Sequence, residues 1–155
     1  MTPIILQDAL LEEMEELFKD YVYKTPSGGR IPLNVFPQNL PVNETDDEED
    51  PIPYLIIRLM DGEDEGSRES FHAVNLMVSI GIWDDELNAQ GHKDVMNIIQ
   101  KIYQRFHENP DLNHIASFQG GFHWALDNEN CYPYYFGGCS MSFGIAAVRR
   151  EDEFA

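Results

Sequence analysis

Residues 71–83 read Phe-His-Ala-Val-Asn-Leu-Met-Val-Ser-Ile-Gly-Ile-Trp. Val74, Leu76, Val78, Ile80 and Ile82 fall on one side of an extended chain, with Ala73, Asn75, Met77, Ser79, Gly81 and Trp83 on the other. A period of two sends successive side chains to opposite faces of a strand, so this segment predicts the centre of a sheet. Upstream, Tyr54–Met60 is apolar apart from Arg58, the pattern of a strand covered on both faces or lying beside a subunit contact. Between the two, Asp61-Gly62-Glu63-Asp64-Glu65-Gly66 predicts a turn. Downstream, a helix opening at Asn88–Gly91 carries Val95, Ile98, Ile99, Ile102, Tyr103 and Phe106 as an apolar stripe, and Asn109-Pro110 stops it.

Farther out, residues 8–23 predict an amphipathic helix. Leu10, Leu11, Met14, Leu17, Phe18 and Tyr21 oppose Glu12, Glu13, Glu15, Glu16 and Asp20. Thr25-Pro26-Ser27-Gly28-Gly29 breaks it. Ile31–Phe36 predicts a short strand at an edge or in a bulged arm, because Pro32 and Pro37 cannot donate to a ladder. Near the C-terminus, Ile115–Phe118 and Phe122–Leu126 flank Gly120-Gly121. A long strand from Tyr134 to Val148 then alternates Cys139, Met141, Phe143, Ile145 and Ala147 with smaller residues. Residues 149–155 predict a frayed tail. With 155 residues and no internal repeat, the chain predicts a single domain, 1–155. The element order predicts an α+β fold: two helices packed on one face of a mainly antiparallel β-sheet, with an extended hairpin or arm.

Ten basic and twenty-eight acidic residues give a net charge of −18, which repels phosphate and anionic lipid and disfavours general nucleic-acid or membrane-surface binding. Residues 44–50 supply −6 of this and residues 61–69 supply −4, leaving a moderately acidic body. Framed by Pro41, Pro51 and Pro53, the first run predicts a mobile acidic loop near 41–52. Two cysteines make no disulfide framework and point to a reducing compartment. No basic leader and no run of 18 apolar residues occurs, so the expected setting is cytosolic and unanchored.

Chemical motifs are tested and fail. Asp61, Glu63, Glu65 and Gly66 start like a calcium loop, but its twelfth position is His72 where a bidentate Glu is needed, leaving only weak attraction for divalent ions. The five histidines and two cysteines lack metal-ligand spacing, and the paired glycines lack a phosphate-loop pattern. Cys131 with His114 or His123 forms a thiol–imidazole pair only if folding brings them together. No catalytic residue, cofactor or metal site is therefore expected. Phe122-His123-Trp124 and Tyr132-Pro133-Tyr134-Tyr135-Phe136 instead crowd rings beside turns, marking a core rim or a protein interface. From Asp111 to Val148 there is no Lys or Arg, which argues against base stacking on these rings.

Pro53–Leu59, the acidic turn, Ile80-Gly81-Ile82-Trp83-Asp84-Asp85 and Gly91–Ile99, extended by Trp124-Ala125-Leu126 and Pro133–Gly138, resemble the tail terminator proteins of long-tailed bacteriophages over roughly residues 50–148. The resemblance implies a small α+β subunit that forms a six-membered ring, caps the tail tube protein and meets a head-connector or neck protein. It implies no catalysis, contact with DNA only by passage through the ring, an arm at 31–49 that orders on assembly, and residence in the host cytoplasm and then the virion tail. Neck and tail-completion proteins share that architecture. Interface candidates are Tyr54, Ile56, Arg58, Met77, Trp83, Trp124, Tyr134 and Tyr135. The alternative from the charge is an acidic inhibitor or DNA mimic acting on a nucleic-acid enzyme. A small hydrolase built on Cys131 and a histidine is the third expectation.

Overall fold

The computed structural model describes residues 2–42, 51–64 and 71–146. Eleven elements follow in order: α1 (Pro3–Phe18), β1 (Tyr23–Lys24), β2 (Arg30–Ile31), β3 (Asn34–Pro37), β4 (Tyr54–Asp64), β5 (Phe71–Trp83), α2 (His92–Glu108), β6 (Asp111–Leu112), β7 (Ala116–Phe118), β8 (His123–Leu126) and β9 (Tyr134–Ala146). The main sheet runs β3-β4-β5-β9-β7-β6, with β8 also on β9; β3 is parallel to β4 and every other pair is antiparallel. β1 and β2 form a separate hairpin turned by Gly28 and Gly29 at φ of +100° and +81°.

Both helices cover one face, as the alternation predicts. Leu6, Leu10, Met14 and Phe18 of α1 and Val95, Ile98, Ile99, Ile102 and Phe106 of α2 enclose Leu55 and Ile57 of β4, Val74, Leu76, Val78, Ile80 and Ile82 of β5 and Cys139, Met141, Phe143 and Ile145 of β9 in one core. The centre of that core is an edge-on Phe106–Phe143 pair 5.1 Å apart.

Three expectations are corrected. The first helix spans 3–18, not 8–23: Pro3 has the fixed φ a first turn accepts, Leu6 extends the buried stripe while Ile4 and Ile5 are exposed, and Tyr23 leaves to pair with Ile31. Tyr21 is thus outside the helix, with the Lys101 ammonium 4.3 Å from its ring centroid. The turn at 61–66 does not begin at Asp61, because β4 continues to Asp64 past a register shift between Leu59 and Asp61. The strand at 31–36 divides at Pro32 between β2 and β3. The acidic loop at 43–50, residues 65–70 and the tail from 147 lie outside the described residues.

The edge position foreseen for β3 is realised, and its register explains why Pro37 fits. Asn34 and Gln38 donate backbone N–H groups to Pro53 and Ile57, so residues 34, 36 and 38 face β4 while Val35 and Pro37 point outward, where a missing N–H costs no ladder bond. Gln38, at φ +65°, then extends the ladder with its side chain: its amide donates to the Leu59 carbonyl at 3.1 Å and accepts from the Leu59 N–H at 2.9 Å. Gln7 of α1, only 5% exposed, joins them by donating to the Ile57 carbonyl at 2.8 Å and to Gln38 Oε1 at 3.1 Å. Arg105 ties α2 to α1 by donating to Glu13, and closes its own helix by donating to the carbonyls of Asn109 at 2.6 Å and Asp111 at 3.1 Å.

Candidate functional site

The face of the sheet away from the helices is where the interface candidates gather. Pairing aligns its residues in rows across the strands: Tyr54, Gly81, Phe136 and Asp127; then Ile56, Ser79, Gly138 and Ala125; then Arg58, Met77, Ser140 and His123. Small residues in the middle row leave a floor between two taller walls. The result is a groove of about 440 Å3. A further row, Asp61, Asn75 and Ser142, is joined by side-chain hydrogen bonds and makes the adjoining surface polar.

Glycines set the groove's shape. A Cβ on Gly138 would stand 2.2 Å from the Val78 carbonyl oxygen, a contact that measures how tightly the sheet curls there. A Cβ on Gly81 would meet the Tyr54 ring at 2.4 Å, so Tyr54 lies flat over β5 as the end wall. Tyr134 and Phe136, two apart on β9, stack with centroids 6.3 Å apart beside that wall.

The eight candidates divide by where the structure places them. Tyr54 and Met77 line the groove, and Tyr134 stands beside it. Arg58 lies in the third row but is committed within the chain: its Nε donates to the Gln38 carbonyl at 3.0 Å and its Nη2 to Asn39 Oδ1 at 3.3 Å. Ile56 is 7% exposed, outside the main core yet covered. Trp83 sits at the end of β5 beside the β1–β2 turn. There Lys24 reaches Asp84 and Glu86 at 3.3 Å and Asp85 at 3.6 Å. Desolvation lowers the Lys24 pKa, but the hydrogen bonds of Glu86 and Asp84 outweigh it and raise the value overall.

Tyr135 points the other way. Its ring packs against Gly91 at the start of α2, where a Cβ would lie 2.4 Å from it, and its hydroxyl is buried with no partner among the described residues. Trp124 pairs with Cys139, whose side chain is in the core, so its indole projects on the helix side of β8. It is 56% exposed, and the residue is one of those that line the groove.

Sequence reasoning put Phe136 in a ring cluster read as core rim or interface but left it off the candidate list, together with Ser79, Gly138 and Ala125. Phase along β9 could have revealed Phe136, but the row of small residues exists only once three strands are in register.

Reactive groups are dispersed. Burial pushes the Cys139 thiol up to about 12 and leaves it protonated near neutrality. Cys131 lines a separate hollow of about 360 Å3 with His92, while His123 is at the groove and His114 is on the surface near Asp111. Cys131 is thus not brought to one pocket with His114 or His123, the partners named from sequence, but it shares its hollow with His92. Among the described residues no group of three or more His, Cys, Asp or Glu could hold a metal ion, and no helix is long and apolar enough to cross a membrane. No protein-family model matches the chain, and no curated protein matches it.

Proposed function

We propose that this chain is a non-catalytic assembly subunit of the phage tail-terminator type. In that role it closes a ring of about six copies on the tail tube protein and presents the ring to a head-connector or neck protein. The observation that carries the reading is the sheet face that no element covers among the described residues, where Tyr54, Met77 and Phe136 surround a floor of small residues and Tyr134 stacks on Phe136. Such a surface suits burial against another protein, with aromatic anchors around a recess.

Cyclic rings use heterologous contacts, in which one patch meets a different patch on the neighbour. The two sheet margins of this chain are unlike each other, which suits that geometry. The charge of −18 supports a bore that lets DNA pass without gripping it.

Light scattering and electron microscopy of the purified protein test the reading. It expects rings near six times the 17.8 kDa subunit mass, lost in Met77→Glu while the fold persists. A fixed dimer, or a monomer at every concentration, refutes it.

A further inference from the structure

We infer that the free margin of β8 accepts an extended segment of another protein, in which apolar and basic residues alternate, as an added strand. The ladder fixes which backbone groups are available. Asp127 donates its N–H to the Phe136 carbonyl at 2.9 Å, and the register Ala125–Gly138 and His123–Ser140 continues that alternation. Residues 123, 125 and 127 therefore bond inward to β9. The N–H and C=O groups of Trp124 and Leu126 point outward, and among the described residues no strand pairs with them. β7, on the same side of β9, has its outer position filled by β6; among the described residues the matching position beside β8 is open.

The surroundings state what chemistry fits. On the uncovered face, a strand beside β8 runs along Ala125, and apolar side chains from it overhang the groove toward Gly138 and Met77. On the helix-side face it meets the exposed indole of Trp124, a ring that attracts lysine or arginine. No Lys or Arg occurs from Asp111 to Val148, while Asp127 and Glu129 lie at the end of β8, so the local charge favours a cationic guest. A second copy is a poor donor of a basic strand, because its amino-acid composition is strongly acidic. Main-chain pairing with alternate side chains read by pockets is an established mode of peptide capture. The inference goes beyond the ring reading and does not rest on it: the β8 margin belongs to the single chain, and a guest that overhangs the Met77 groove competes with a ring closed through that groove.

Fluorescence anisotropy with labelled eight-residue peptides tests this on the full chain. A peptide of alternating lysine and valine is expected to bind saturably. One of alternating glutamate and valine, and the lysine peptide N-methylated on alternate residues in both phases, are expected to bind at least about tenfold more weakly. Trp124→Ala keeps the N–H and loses the indole, so binding weakens about tenfold. Trp124→Pro also removes an outward N–H without costing a β8–β9 bond, and binding is expected to vanish. If that variant does not fold by circular dichroism, the N-methylated peptides decide alone. Absence of saturable binding, equal binding of the glutamate or doubly tested N-methylated peptides, or a folded Trp124→Pro that binds like Trp124→Ala overturns the inference.

Discussion

Replacing Gly138 by alanine should cost more than any other single methyl on the uncovered face. The added carbon would lie 2.2 Å from the Val78 carbonyl oxygen, 3.3 Å from its carbon and 3.5 Å from the Ser79 Cα, against a working minimum near 3.0 Å. All three atoms are backbone of β5, which is held by β4 on its other side, so no rotamer change relieves the clash. Either β5 and β9 part locally or the curl of the sheet relaxes. Overpacking a well-packed site costs about 1–3 kcal/mol, and a backbone obstacle places this variant at about 3 kcal/mol. For a chain of this size that corresponds to a fall in Tm of about 6–12 °C. Gly28→Ala is the control: its φ of +100° strains alanine, but nothing lies within 4 Å, so the cost is about 1 kcal/mol. Urea unfolding of both variants measures the difference. If Gly138→Ala lies within about 0.5 kcal/mol of the parent, the close approach, and the groove floor built on it, are refuted.

Arg105→Met should destabilise by about 2–3 kcal/mol, because it leaves Glu13 half-buried without its partner; the same substitution with Glu13→Gln should recover part of that loss in a double-mutant cycle. Gln7→Ala removes the amide that joins α1 to Ile57 and Gln38, at a cost of about 1–3 kcal/mol by chemical denaturation. Desolvation and the neighbouring Asp84 raise the pKa of Asp94, with Arg30 and Lys24 opposing them. The folded state then binds the extra proton between the ordinary and the raised value, and stability falls as pH rises through that window. Asp94→Asn should be more stable than the parent at pH 7, and the advantage should shrink on acidification; an advantage that does not change with pH contradicts the assignment. A thiol reagent should label Cys131 in the native protein and reach Cys139, 3% exposed, only on unfolding; rapid reaction of both would be the contrary result.

The strands that alternate strictly were legible because period two has one structural meaning. β5 runs over the predicted 71–83, and the α2 stripe is buried apart from the partly covered Tyr103. Phase also carried information left unused: Tyr135 is in step with Gly137 and Cys139, which face the helices, so its inward turn was readable from the same pattern that exposes Tyr134 and Phe136. The start of α1 was obscured because Pro3 reads as a breaker unless it occupies a first turn. Gln7 lies just outside the predicted helix at 8–23, and its burial depends on Gln38 arriving from thirty-one positions away. The groove itself was invisible in sequence. Ser79, Gly138 and Ala125 are unremarkable singly and become a floor only through long-range pairing.

β9 is bonded to β5 along its whole length on one side, but on the other it is shared between β7 and β8, separated by the Gly120-Gly121 step. β8 is consequently tethered by a few ladder bonds and by Leu126 at the rim of the core. Amide protons of His123 and Ala125 should therefore exchange with solvent far sooner than those of Cys139 and Met141, through an opening that leaves the remaining fold intact. The recognition margin is thus also one of the parts of the sheet that yields readily, and whatever docks there gains by holding it shut.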